Sequence, residues 1–284
     1  MNTFERFESR TTISATLEMQ TALSVGSRAS LEPTGTDLPV IKDQKGVPFV
    51  PGSSIKGVVR SEMERVLRSL DRESTKLWAC DPFGEFDKQC VSSDDKDDIN
   101  KAVGMLIEKK QMKNEESEAE RSKRIWDASC TVCRLFGSPW LASRLAFKDA
   151  SLKNRQDLAD VTSVRDGVGI DRDRGAAKDG LKYDFEVVSP GAEFNIEILA
   201  ENVESWEIGL LLSVLRPWQE GYLPIGGKSS RGPGWGKLTK ISIERIEKKD
   251  LLDYLLGAKT EPVPWETFVQ SLRGHLSQGG AKNA

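Results

Sequence analysis

The hydrophobic period of this chain changes in a set order along its length, and that order limits the folds open to it. Residues 12–19, TISATLEM, alternate polar and apolar with Ile13, Ala15, Leu17 and Met19 in step, the period of a half-buried strand. A Gly/Pro-rich stretch runs from there to Pro51. SSIKGVVRSEMERVLRSL then sets Ile55, Val58, Val59, Met63, Val66, Leu67 and Leu70 on one helical stripe, with Ser53 or Ser54 as its N-cap. RLAFKD reads as a strand, and KYDFEVV and EFNIEIL as two more, joined in a hairpin at Ser189-Pro190-Gly191. Residues 205–216 form a buried helix ended by Pro217, and KLTKISIERI is the last strand. Strand–helix, strands, helix–strand predicts an α+β fold of ferredoxin-like type, an antiparallel sheet with helices on one face.

Two segments interrupt this order. Residues 71–140 read as an insertion holding all four cysteines, the acidic run DDKDD and the mixed-charge stretch KKQMKNEESEAERSKR, a solvated helix or a mobile loop. RDGVGIDRDRGAAKDGLK reads as a loop with charges of both signs. The core is therefore expected over 1–70 and 141–246, with a C-terminal helix and flexible tail over 247–284. No internal repeat is visible.

The 284 residues carry a net charge of only −3, so contact with nucleic acid must rest on local basic patches. No run of apolar residues is long enough to span a membrane, and the N-terminus MNTFERFESR lacks an apolar signal core, so a cytoplasmic protein is expected. The single histidine, His275, falls in a tail read as frayed (GHLSQGGAKNA). Ser-His-Asp, Cys-His and HExxH chemistry are thereby excluded; carboxylates, lysines or metal must do any catalysis.

GGKSSRGPGWGK, from Gly226, holds basic residues and glycines with no acid among them. A P-loop is excluded, because five residues and not four precede the GKS glycine and a strand follows in place of a helix. Glycines 226, 227, 232, 234 and 236 permit close approach of main-chain amides to phosphate. Lys228, Arg231 and Lys237 add charge, Ser229 and Ser230 add hydroxyls, and Trp235 offers a stacking face. Composition leaves open a plain connector. A second loop, VPFVPGSSIKGVVR, sets Gly52, Ser53 and Ser54 at a helix N-terminus suited to phosphate, with Lys56 and Arg60 on one face behind them. An ordinary capped helix fits it too.

Cys130 and Cys133 form a CxxC knuckle, with Cys80 and Cys90 upstream in the same insertion. Four thiols suit a tetrahedral structural Zn²⁺ site with no open position, although the step from Cys80 to Cys90 is not a standard knuckle and four free buried cysteines are the alternative. Disulfides do not fit a cytoplasmic chain, nor thioredoxin chemistry a segment without a βαβ context.

Four motifs in order, VPFVPGSSIKGVVR, CRLFGS at 133–138, GIDRDRGAA at 169–177 and GGKSSRGPGWGKL at 226–238, resemble the RAMP proteins of CRISPR effector complexes, above all the repeated backbone subunits of type III complexes. The resemblance spans residues 12–246. It implies an RRM-like core that binds guide RNA along its backbone, in a filament of copies or paralogues with other CRISPR effector subunits. The glycine loop and the helix after the PGSS turn would then contact guide RNA. It implies a projecting thumb at about 165–182, carrying Ile170, Asp171, Arg172 and Arg174, that wedges between bases and flips one out at regular intervals. Five basic and four acidic residues there suit a wedge better than a basic field. Zinc just before the LFG motif is also a property of some relatives.

In GTDLPVIKD, Asp37 takes the position of the catalytic aspartate of cleaving relatives, whose chemistry is Mg²⁺- or Mn²⁺-dependent cleavage of target RNA with the target's own 2′-OH as nucleophile. A turn-forming aspartate in a non-cleaving scaffold or capping subunit is the alternative. Asp43 reads as part of the Asp-Gln-Lys-Gly turn.

Overall fold

The computed structural model describes residues 5–26, 36–84, 89–109 and 111–280. In chain order it forms β1 (Ser9–Met19), β2 (Phe49–Val50), α1 (Gly52–Ser69), α2 (Arg72–Thr75), α3 (Ser93–Glu108), α4 (Ser117–Ala128), α5 (Thr131–Phe136), β3 (Leu145–Phe147) and β4 (Ala150–Ser151). These are followed by β5 (Thr162–Asp171), β6 (Ala176–Val188), β7 (Glu193–Glu201), α6 (Ser205–Glu220), β8 (Gly236–Glu247), α7 (Leu251–Leu255) and α8 (Trp265–Gly280). Gly35 of the GTDLPVIKD motif and residues 281–284 of the tail lie outside the described residues.

The main sheet runs β3-β7-β1-β8, antiparallel throughout, with α1 between β1 and β3 and α6 between β7 and β8 in the chain. That is the ferredoxin-like arrangement expected from the order of periods. Its centre is a ladder of apolar triples: Ile13 faces Ile198 and Ile243, and Leu17 faces Phe194 and Leu238. Leu238 and Ile243 are an odd number of residues apart, so strict alternation would turn one of them to solvent. A bulge between Ser14 and Thr16 of the β1 register, with Lys240 at φ +52°, absorbs the extra residue and keeps both inside.

α1 buries Ile55, Val59, Met63 and Leu67 against this core, and α6 buries Ile208, Leu211, Leu212, Leu215 and Trp218. Pro217 does not end α6. The helix continues to Glu220 and closes on Gly221 at φ +85°, because the fully buried Trp218 holds that last turn in the core and outweighs one lost amide bond. α8 packs on α6 at Gly209, where a Cβ would lie 2.1 Å from the Phe268 carbonyl oxygen. His275 is likewise not in a frayed tail; it stands on α8, stacked on Trp206 at 3.9 Å between ring centroids.

The largest departure from the expected fold is at 162–188. RDGVGIDRDRGAAKDGLK is not a loop: β5 and β6 form a two-stranded ribbon separate from the main sheet, paired from Thr162–Val188 to Asp171–Ala176. Most of its length faces solvent on both sides, so no buried face imposed an apolar alternation for periodicity to detect. β6 and β7 do not form a hairpin either. Ser189-Pro190-Gly191 is a corner, with Gly191 at φ +82°, that carries the chain from ribbon to sheet. Within 71–140, the second half of the mixed-charge stretch lies in α4, laced by Glu118–Arg121 and Glu120–Arg124 pairs. Among the described residues no helix is long and apolar enough to cross a membrane.

Candidate nucleic-acid interface and metal centre

The root of β6 collects two segments that lie far apart in the sequence. Because successive strand residues point to opposite faces, residues 183–186 offer two different surfaces. On one, the Tyr183 hydroxyl accepts from Arg231 Nη1 at 2.9 Å and the Phe185 ring lies under Lys228 Nζ at 4.5 Å. The Asp37 segment runs along the edge of β6, with Leu38 bridged in parallel to Phe185, and the Asp184 and Glu186 side chains hold it there. The Asp37 amide donates to Asp184 Oδ1 at 2.7 Å, and the Asp184 amide donates to Asp37 Oδ2 at 3.0 Å. Glu186 accepts from the Val40 amide at 3.1 Å and from Lys42 Nζ at 2.6 Å. Burial pushes the Glu186 carboxyl up, but bonds from Lys42, Thr162 and Val40 outweigh it and hold the group below its ordinary value. Gly167 lies opposite Tyr183, and a Cβ there would come within 2.3 Å of the tyrosine ring, so the glycine lets the ring lie across the ribbon.

Sequence reasoning passed over Tyr183, Asp184, Phe185 and Glu186. The signal lies in KYDFEVV, where aromatic and acidic residues alternate, a pattern that reads equally as a strand of the main sheet. Asp43 does sit in a turn, its Oδ1 accepting from the Lys45 and Val47 amides.

The glycine loop is built differently from expectation. The Gly227 amide donates to Ser24 O and the Gly234 amide to Ala22 O, both at 2.7 Å, so these donors are engaged within the chain. A Cβ on Gly226 would lie 2.5 Å from Ser24 O, and one on Gly234 2.4 Å from Ile225 O. These glycines serve close packing of the loop on the 22–24 segment. The loop presents side chains instead: Ser230 and Arg231 are exposed, and Lys228 and Ser229 half-buried. Trp235 is half-buried, with its Nε1 donating to Ser229 O.

The N-terminus of α1 also differs. Pro51 is the N-cap, with no side-chain cap bond from Ser53 or Ser54. The Gly52 amide donates to Asp149 Oδ1 at 2.7 Å, so a carboxylate already meets the first amide of the helix end. Gly52 is buried, and a Cβ there would lie 2.1 Å from the Phe147 carbonyl oxygen. Gly52→Ala is therefore expected to destabilise the fold by roughly 1–3 kcal/mol through overpacking, read as a lower denaturant midpoint; an unchanged midpoint would show that the contact gives way. Lys56 Nζ donates to Ser143 Oγ at 3.1 Å, and burial, with Arg60 nearby, lowers its pKa. Arg60 contacts Glu64, the Gly137 carbonyl and the Cys133 sulfur. The candidate residues thus fall into two groups: Asp37 and 228–231 bond to β6, whereas 52–60 bond to the 133–149 segment.

At the ribbon tip Ile170 is 59% exposed. Asp171 caps the turn, its Oδ1 accepting from the Asp173 and Arg174 amides, and Arg172 and Arg174 lie exposed beside it. Val164, Val168 and Leu181 add further exposed apolar surface along the ribbon.

The four sulfurs of Cys80, Cys90, Cys130 and Cys133 lie within 4.8 Å of one another. Cys80 and Cys133 are 3.7 Å apart, far beyond the roughly 2.0 Å of a disulfide. A tetrahedron of metal–sulfur bonds of about 2.3 Å has edges of roughly 3.8 Å, so the cluster is compatible with a structural metal site. Left to themselves the thiols cannot all ionise. Bonds from Cys130 to Cys90 and from Cys133 to Cys130 push Cys90 and Cys130 down, while Cys80 and Cys133, each bonded to Cys130, are pushed up. A bound cation removes that conflict.

Residues 16–237 match the RAMP superfamily. The chain is 26% identical over 266 residues to the CRISPR system Cms endoribonuclease Csm3 of Methanothermobacter thermautotrophicus, covering 90% of this chain and 93% of that protein. It is 25% identical over 231 residues to the Csm3 endoribonuclease of Methanocaldococcus jannaschii, covering 80% and 77%. A ferredoxin-like sheet, an exposed two-stranded ribbon and a family match over most of the length agree: this chain belongs to the RAMP superfamily.

Proposed function

We propose that the chain is a guide-RNA-binding backbone subunit of a type III CRISPR effector complex, and that it cleaves target RNA at regular intervals with Asp37 as the catalytic residue. The observation that carries this is the convergence on β6: the Asp37 segment, bridged along its edge at Leu38–Phe185, and the basic Lys228–Arg231 turn, set on Tyr183 and Phe185, are both held by the strand that continues into the ribbon with its exposed apolar side chains. A wedge, a carboxylate and cations to meet phosphate therefore share one element. The ribbon at 165–182 acts as the thumb, with Ile170 entering the base stack and Arg172 and Arg174 meeting phosphates beside it.

Asp37 uses one carboxylate oxygen on the Asp184 amide and keeps the other for chemistry. That oxygen takes part in activating the 2′-OH of the nucleotide next to the flipped base, which attacks the adjacent phosphorus and expels the 5′-oxygen. Hard carboxylate oxygens of Asp37 and Asp184 suit Mg²⁺ or Mn²⁺, which when bound neutralises charge on the reacting phosphate. The thiol cluster, by contrast, is a closed structural Zn²⁺ site that braces the 71–140 insertion.

A non-cleaving subunit keeps the same contacts, with Asp37 serving only to tie its loop to β6. The reciprocal Asp37–Asp184 bonds are the observation that supports this second reading. RNA co-purifying with the protein is expected to carry CRISPR-repeat sequence; random cellular RNA would sink the guide-binding assignment. Lys228→Ala with Arg231→Ala is expected to weaken RNA binding alike for all sequences. It should also flatten the plot of log affinity against log salt by roughly one to two units. If affinity and slope both hold, the loop is a connector.

A further inference from the structure

Arg60 sits on α1 where a groove-facing phosphate contact was expected, yet its guanidinium is turned toward sulfur. Nη2 approaches Cys133 Sγ at 3.8 Å, Nη1 donates to the Gly137 carbonyl at 3.2 Å, and Nε donates to Glu64 Oε1 at 2.9 Å. The side chain is only 24% exposed. Each nitrogen of the fork donates within the chain, so three of its five N–H groups are committed and the guanidinium is held facing the thiol cluster.

Four thiolates around a divalent ion carry two excess negative charges. Arg60 and Arg68 both line the recess beside the cluster, but Arg68 donates to the Cys80 carbonyl and not to a sulfur. Glu64 pairs with both arginines and so fixes the direction in which each points. Arg60 also spans the ends of α5, reaching Cys133 near its start and Gly137 just past its end.

We propose that Arg60 is an outer-sphere residue of the four-cysteine metal site, donating to the Cys133 thiolate and offsetting its charge, and is not a phosphate contact. The proposal rests on the thiol cluster holding a metal. It also means that metal loading fastens α1 to the insertion through one side chain.

Full-length apoprotein titrated with Co²⁺ alone provides the test, since tetrahedral thiolate coordination has its own visible and charge-transfer bands. Arg60→Gln is expected to weaken Co²⁺ binding about tenfold or more, the usual scale for an outer-sphere ligand partner. Arg60→Lys should recover part of the loss. Glu64→Gln, which leaves every sulfur and the arginine in place, should weaken binding severalfold. Lys101→Gln, at an exposed cation on α3, should change nothing. RNA affinity of metal-loaded Arg60→Gln and its salt slope should match the wild type. Unchanged Co²⁺ affinity in Arg60→Gln overturns the proposal, as does loss of about one unit of RNA salt slope with metal binding intact. A wild-type protein that shows no thiolate–cobalt bands overturns the metal reading itself, and the proposal with it.

Discussion

Asp37→Ala is expected to leave the assembled complex able to hold a matched target RNA and unable to cut it. The substitution removes the acceptor of the Asp184 amide but keeps the bond from the residue 37 amide to Asp184 Oδ1. An exposed hydrogen bond of this kind contributes about 0.5–1.5 kcal/mol, so the fold and the complex survive. Cleavage should fall about 10²–10⁴-fold, the scale of a lost acid–base group. Asp37→Asn is the sharper test, because its side-chain oxygen still accepts from Asp184 while the charge is gone. A purely structural role predicts normal cleavage by the asparagine variant; a catalytic one predicts the same loss as alanine. A target with a 2′-deoxy nucleotide at the cut should resist the wild-type complex, since its internal nucleophile is missing. Cutting at wild-type rate by both variants would put catalysis elsewhere, and no cutting by the wild type with Mg²⁺ or Mn²⁺ would make this a non-cleaving subunit.

Cys130→Ser with Cys133→Ser should release the metal and loosen the insertion. Both sulfurs are buried, and Cys130 also caps α5 by accepting from the Cys133 amide. Serine is a better N-cap than cysteine, so the cap survives and any loss of stability reports the metal. With metal a thousandfold above its Kd, binding contributes about 4 kcal/mol to stability. At roughly 2–4 °C per kcal/mol for a chain of this order of size, Tm should fall by about 8–16 °C. Metal content should drop from about one per chain to none, and protease should cut first within 71–140. An unchanged Tm, or wild-type protein free of metal when purified without chelator, would leave the cluster as four free thiols.

The two variants probe sites that were visible in the sequence to very different degrees. The CxxC step marked half of the thiol cluster, since two residues spaced for one metal are a local feature; Cys80 and Cys90 joined it only as the remaining thiols of the insertion. Asp37 was visible only through a family resemblance. Nothing in GTDLPVIKD itself reveals Asp184, whose bond to Asp37 depends on how β6 runs past the loop.

Local periodicity determined the architecture. Ile13, Leu17, Val59, Met63, Ile208 and Leu215 repeat at strand or helix spacing because each element buries one face, and a buried face leaves its period in the chain wherever the element lies. Their order along the chain was enough for the ferredoxin-like sheet. Tertiary structure alone decided where polar groups point. Asp149 takes the Gly52 amide at the start of α1, Ser24 and Ala22 take the Gly227 and Gly234 amides, Cys133 takes Arg60, and the ribbon, with no buried face along most of its length, leaves no period to read. Burial is a property that one segment carries in its own spacing, whereas a hydrogen bond needs a partner that the rest of the fold brings within about 3 Å.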